Sequence, residues 1–196
     1  VYGILRLINF AHGDIFMMAA YFMIFAMVDF AIPWYISMII MIIATVELGV
    51  IIEKVAYAPL RSAPRMSVMI SAIGVSYLLQ NVATYLFSAL PKSYPSIPVL
   101  NKTIHLGDVS TSLVTFITPI ITIGFVLLLM AMIKYTKVGM AMRAVSKDFE
   151  TAQLMGIKIN SVISLTFVIG CFLAAVGSML YFTPRPSVYP LVGSLP

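Results

Sequence analysis

Four stretches of the chain stay apolar long enough to cross a bilayer: residues 34–52, 66–90, 113–133 and 162–182. A spanning helix needs roughly 20 mostly apolar residues at about 1.5 Å each. Glu47 interrupts the first stretch, Gln80 and Asn81 lie near the middle of the second, Pro119 falls in the early turns of the third, and the fourth carries no charge. None alternates as a barrel strand would, and each is about twice the length of one. A fifth apolar run, 15–28, is shorter and is cut off from the next by Asp29 and Pro33. Before it lies a mixed segment holding Arg6, Asn9, His12 and Asp14. This pattern predicts a broken, re-entrant polar segment followed by a helix that starts below the membrane surface. Irregular backbone at that depth is tolerated only where protein buries it or where it lines a wet cavity. The expected fold class is an all-α polytopic membrane protein, with residues 1–196 forming part of one membrane domain.

Composition removes the alternatives. Hydrophobic residues make up 61% of the 196 and charged residues 10%, with a mean hydropathy of +1.05. A soluble fold of this size could not cover so much apolar surface. Disorder, a disulfide scaffold (there is one cysteine, Cys171) and nucleic-acid binding are excluded on the same figures. The partner this composition demands is the lipid bilayer. The charges then set sidedness, because Lys and Arg gather on the cytoplasmic side. Lys54, Arg61, Arg65, Lys134, Lys137, Arg143, Lys147 and Lys158 fall on one side by helix counting, against Lys92, Lys102 and Arg185 on the other. The first group is expected to be cytoplasmic and the C-terminal tail to face outward.

The loop 134–161 is too long for a simple turn and too short for a domain. Ser146 reads as an N-cap, Asp148 and Glu150 suit a first turn, and Gly156 suits a stop. These signals predict a helix of about two and a half turns. It shows Phe149, Ala152 and Met155 at helical spacing, and so short a helix needs a partner surface to hold it. A membrane-surface helix with snorkelling lysines is the competing reading, weakened by the two acids.

Ionisable groups at membrane depth are costly, about 2.5–3.5 kcal/mol at a helix centre for Arg, Lys or Asp, which makes each a candidate for function. Asn9, His12 and Asp14 are candidates for a solute path; Asn9 and Asp14 could equally cap the helix that begins near Ile15. Gln80 and Asn81 either join them or bond one helix to another. Glu47 reads as an interface acid. Chemistry finds no foothold: there is no phosphate-binding Gly-Lys-Ser/Thr loop, no His-Glu-x-x-His, no Gly-x-Ser-x-Gly and no cysteine pair. No catalytic or metal residue is expected.

Several blocks carry a resemblance. Ile8-Asn9-Phe10-Ala11-His12-Gly13-Asp14, the segment from Glu53 to Arg61, Ser71-Ala72-Ile73-Gly74 with Gln80-Asn81, and Arg143-Ala144 with Asp148, Ala152, Leu154 and Gly156-Ile157 stand in one order along the chain. Leu165-Thr166-Phe167 and Ala174-Ala175-Val176-Gly177 follow. Together they resemble the inner-membrane permeases of branched-chain amino acid ABC transporters, whose members run longer at both ends, so the chain is expected to be a fragment. The resemblance implies a transporter subunit rather than an enzyme, in the cytoplasmic (inner) membrane of a bacterium or archaeon. It implies a second permease subunit, identical or related, two cytoplasmic ATPase subunits and an extracytoplasmic solute-binding protein. The chain itself would hold no cofactor, ATP and magnesium belonging to the ATPases. The loop would be the coupling element: Phe149, Ala152, Leu154, Met155, Gly156 and Ile157 as its apolar and turning parts, Arg143, Lys147 and Asp148 as its charged rim.

Two other readings compete. A urea or short-amide permease of the same superfamily shares the early and cytoplasmic blocks. A self-sufficient channel or secondary carrier would place facing ionisable groups at mid-membrane, and the mid-spans here are nearly bare.

Overall fold

The computed structural model describes residues 11–60, 63–97, 103–106, 109–185 and 187–194. Helix α1 spans Ala11–Ile24 and continues through a π-helical turn, Phe25–Asp29. Helix α2 (Trp34–Ile52) likewise runs into a π turn, Glu53–Tyr57, and a 3₁₀ turn, Ala58–Leu60. Helix α3 covers Arg65–Phe87, α4 Leu113–Tyr135, α5 Lys137–Lys147, α6 Phe149–Leu154 and α7 Ile159–Phe182. Four short strands complete the described chain: β1 (Lys92–Ser93), β2 (Thr103–Leu106), β3 (Val109–Ser112) and β4 (Ser187–Val188). β2 and β3 form an antiparallel hairpin, and β1 pairs antiparallel with β4, Lys92 opposite Val188.

Five helices are long and apolar enough to cross a membrane, so the all-helical polytopic expectation holds. The first differs from its predicted bounds. It reaches back at least to Ala11 and, with its π turn, forward to Asp29, 19 residues in all. Asp14 therefore sits inside a helix rather than at its cap. Most of the predicted broken segment, with Asn9, lies outside the described residues.

Beyond His12 and Asp14, helix α1 is apolar on every side, the signature of a helix enclosed by others. It packs against α2, α3 and α7, and 61% of its most apolar stretch is buried, whereas α4 buries only Val114 among its described side chains. The core is built around it: Ile15, Met17, Tyr21 and Met23 are fully buried. Tyr21 stacks on Phe87 of α3 with ring centroids 4.6 Å apart, and Phe16 meets Phe182 of α7 at 5.7 Å. α2 and α7 approach so closely that a methyl group on Gly49 would stand 2.1 Å from the Cys171 sulfur. Helix α4 stands apart, touching α7 through Phe125 against Phe172 and resting its end on α5.

The tail does not simply leave the bundle. After β4 clips it to β1, the 3₁₀ turn Val192–Ser194 packs on α1. A methyl group on Gly13 would meet the Gly193 carbonyl oxygen at 2.0 Å, and one on Gly193 would meet the Gly13 carbonyl oxygen at 2.5 Å. The two backbones cross with no room for a side chain on either. Asp14, the next residue, bonds to Ser76 and Gln80 of α3. These lie about 10–16 Å along α3 from its end at Phe87, at 1.5 Å per residue. The tail thus returns into the bundle by that distance.

Candidate functional site

Two arrangements concentrate the chain's polar chemistry. The first is buried. Asp14 is completely enclosed and takes hydrogen bonds from the Ser76 hydroxyl and from Gln80 Nε2 at 3.0 Å; Gln80 Nε2 also reaches Ser76 Oγ at 3.2 Å. The helical repeat explains the geometry, since residues four apart on α3 share one face and converge on a single carboxyl group. His12, two residues before Asp14 and so on another face of α1, is half-buried. Of the polar residues singled out from sequence, the fold thus unites Asp14 and Gln80. Asn81 turns the other way: its side chain is exposed and donates through Nδ2 to the Tyr77 carbonyl of its own helix at 2.7 Å. Ser76 was not anticipated; the only hint was its spacing of four from Gln80.

Both partners of Asp14 are neutral, and removing the acceptor would strand two donors. Asp14→Ala is expected to cost about 1–3 kcal/mol, the penalty for unsatisfied buried groups. Adding Gln80→Leu and Ser76→Ala should recover most of it. Thermal unfolding of the purified chain in detergent checks this, and a triple variant less stable than Asp14→Ala would contradict it.

A second buried acid went unnoticed in the sequence. Glu53, in the π turn after α2, is fully buried and accepts a hydrogen bond from the Ser164 hydroxyl of α7 at 2.9 Å. π turns recur at functional positions. Glu47, which drew attention in the sequence, is exposed on α2.

The second arrangement is the helix pair at the basic end. Thr136 caps α5, its hydroxyl oxygen accepting from the Gly139 backbone N–H at 3.0 Å. Asp148 breaks the chain between α5 and α6: its N–H bonds the Ala144 carbonyl, and its carboxyl accepts from the Thr151 backbone N–H at 3.2 Å and from the Thr151 hydroxyl. The N-cap is therefore Asp148 and not Ser146, which lies in α5 and donates to the Arg143 carbonyl at 2.8 Å. The expected helix is α6, shorter than the two and a half turns predicted because it starts after Asp148, and α5 before it was not expected. Gly156 ends α6 as expected, at φ +80°, a conformation that disfavours any side chain. Its N–H bonds the Gln153 carbonyl and that of Ile157 bonds the Ala152 carbonyl, the paired closure of a Schellman turn.

With those bonds in place the surface residues are set. Arg143 reaches back to the Lys134 carbonyl at 3.3 Å, so it braces α5 on the end of α4. Ala152 is buried, Ile157 and Ala144 are half-buried, and Lys147 and Phe149 are exposed. Leu154 and Met155 are 87% and 79% exposed, an unusual state for large apolar side chains on a capped, rigid turn. Beside them a groove of about 490 Å³ opens between α5 and α6, floored by Met140, Ala144, Ala152 and Ile157, with Lys137 and Lys147 at its rim.

Comparison with known proteins is consistent with these features. The family described as "Branched-chain amino acid transport system / permease component" matches residues 1–194. The chain is 35% identical over 204 residues to the high-affinity branched-chain amino acid transport system permease protein LivH of Escherichia coli (strain K12), covering 98% of this chain and 66% of that protein. It is 33% identical over 206 residues to the permease protein BraD of Pseudomonas aeruginosa, covering 100% of this chain and 67% of that protein. LivH of Salmonella typhimurium (strain LT2) is 36% identical over 206 residues, with 98% and 66% covered. The chain spans about 66% of the length of the LivH proteins it matches. No solved structure matches it. On the family match and these identities, the chain belongs to the permease-component family of branched-chain amino acid transport systems.

Proposed function

We propose that this chain is the membrane-crossing part of an ATP-driven importer of branched-chain or related apolar amino acids. In this reading the basic end faces the cytoplasm, in keeping with the excess of Lys and Arg there. The observation that carries the reading is the α5–α6 pair: capped at every end, braced on α4 and α7, and presenting Leu154 and Met155 to solvent. Such a projection is stable only as a contact awaiting a partner. A cytoplasmic ATPase subunit is that partner, with Leu154 and Met155 as buried anchors and the charges of Lys137 and Lys147 fixing register at the rim.

The path of force follows from connectivity. α6 passes through the Gly156 turn directly into α7, and α7 is tied to α2 by the Ser164–Glu53 bond. Closure of two ATPases displaces α6, tilts α7 and shifts α1, which packs along it. The Asp14–Ser76–Gln80 cluster then lies where α1 and α3 slide against each other. A second permease subunit completes the path, and an extracytoplasmic binding protein delivers the solute over β1 and β4.

Reconstitution of the full-length chain with its second permease, ATPases and binding protein in vesicles tests the proposal. Leucine uptake should require ATP, both ATPases and the binding protein. Uptake by the permease alone would overturn the coupled mechanism, and uptake of urea in place of leucine would overturn the solute assignment.

A further inference from the structure

The exposed face of α3 differs in kind from that of α4. Between Ile123 and Ala131 every exposed residue of α4 is apolar, and Ile123 and Leu127 are each 60% exposed: a surface suited to lipid. On α3 the exposed residues Gly74, Tyr77, Asn81 and Thr84 recur at helical spacing, with Tyr85 beside them. Leu78, Val82 and Leu86, also exposed, form an apolar row on one side of this stripe, and the exposed Ile70 and Ile73 adjoin its end near Gly74. On the other flank Gln80 leads inward to Asp14. The polar surface is continuous from the helix exterior to the buried carboxyl group.

Depth excludes the ordinary explanation for Tyr77, whereas Tyr85 lies about 3 Å from the end of α3 at Phe87, where that explanation also serves. Tyr and Trp favour the membrane–water interfaces. Tyr77, 63% exposed, lies about 15 Å along α3 from Phe87 and about 18 Å from Arg65, at 1.5 Å per residue, hence near the middle of the span. Its hydroxyl has no hydrogen bond among the described residues, and Asn81 uses a single amide proton on its own helix. Polar groups left so in hydrocarbon cost several kcal/mol each. Gly74 adds no side chain to this face, and a methyl group there would touch nothing within 4 Å, as at Gly124 on α4.

We propose that the stripe Gly74–Tyr77–Asn81–Thr84–Tyr85 is the water-filled wall of the solute path, bearing the contact site for a small zwitterion with an apolar side chain. The ring faces of Tyr77 and Tyr85 receive the apolar part over the gap left by Gly74. The Asn81 amide and the Tyr77 hydroxyl bond the charged head. Asp14, held behind by Ser76 and Gln80, biases the wall toward the ammonium group. This assignment rests on the importer reading and names the surface that reading leaves open.

Cysteine scanning in the full transporter separates the two. In a background with every other cysteine of the transporter replaced, Cys171→Ala only removes an atom from a close contact. Tyr77→Cys and Asn81→Cys are compared with Ile123→Cys and Leu127→Cys, which lie at similar depth in α4. A charged, membrane-impermeant methanethiosulfonate reacts with thiolate, which forms only where water reaches. The stripe positions should react about tenfold or more faster than the α4 positions, leucine should slow that reaction, and modification should stop leucine uptake. Stripe cysteines as inert as those of α4 would show a dry surface and overturn the proposal, as would modification that leaves uptake intact. If the single-cysteine complexes react as expected but the cysteine-free complex imports no leucine, the importer reading fails on its own account and the solute assignment with it.

Discussion

Replacing Leu154 and Met155 together with aspartate should abolish leucine-stimulated ATP hydrolysis and uptake while leaving the membrane bundle intact. Both side chains are almost fully exposed, so the substitution removes no core packing. The caps that hold α6, Asp148 at its start and the Gly156 turn at its end, are untouched. What is lost is a pair of apolar anchors, now replaced by charges that a partner's groove would have to bury. Hot-spot residues of this kind carry about 2–4 kcal/mol, or roughly 30- to 1000-fold in affinity. Co-purification of the ATPases with the full-length chain measures the affinity, and circular dichroism with thermal unfolding checks the fold. Undiminished ATPase binding by a folded double variant would remove α6 from the coupling contact. Asp148 is a poorer probe, because altering it unwinds the cap as well as the charge.

Gly13→Val should expel the tail from the bundle. The crossing with Gly193 is backbone against backbone, with 2.0 Å between the added carbon and a carbonyl oxygen, so no side-chain rotation relieves it. Overpacking in a core typically costs about 1–3 kcal/mol, and the segment with least holding it gives way first. That segment is the tail, secured by the two-residue β1–β4 ladder and the 3₁₀ turn. A cysteine at Leu191 in the Cys171→Ala background should become more reactive in the Gly13→Val protein, and uptake should fall with it. Gly193→Ala should reproduce the effect. Gly124→Ala, at a position with open space, should change neither. Unchanged reactivity at Leu191 in both crossing variants would mean the tail is not seated on α1.

The membrane architecture was legible because its cause is local: an apolar run long enough to span announces itself residue by residue. The basic helix pair was half legible. Its stop at Gly156 is a local signal, but Ser146 and Asp148 are both good caps two residues apart, and only the bonds made by Thr151 decide between them. The buried acids were least legible. Asp14 near a helix start reads as a cap when its partners, 62 and 66 residues away, are unknown. Glu53 hides among the charges of a helix end, while Glu47, standing alone in an apolar run, looks more conspicuous and proves to be exposed. The polar stripe of α3 was seen as one residue, Asn81, because Tyr77, Thr84 and Tyr85 are unremarkable until one face of the helix is known to be uncovered.

The separation between Asp14 and its partners has a consequence for biogenesis. Ribosomes add about 5–20 residues per second, so 62 residues take roughly 3–12 s to synthesise. For that interval the nascent first span carries an acid whose hydrogen-bond donors do not yet exist, and of the three later helices that enclose it only α2 has been made. The insertion machinery must shelter this span until the third has emerged, which makes its early handling the step at which assembly is most easily lost.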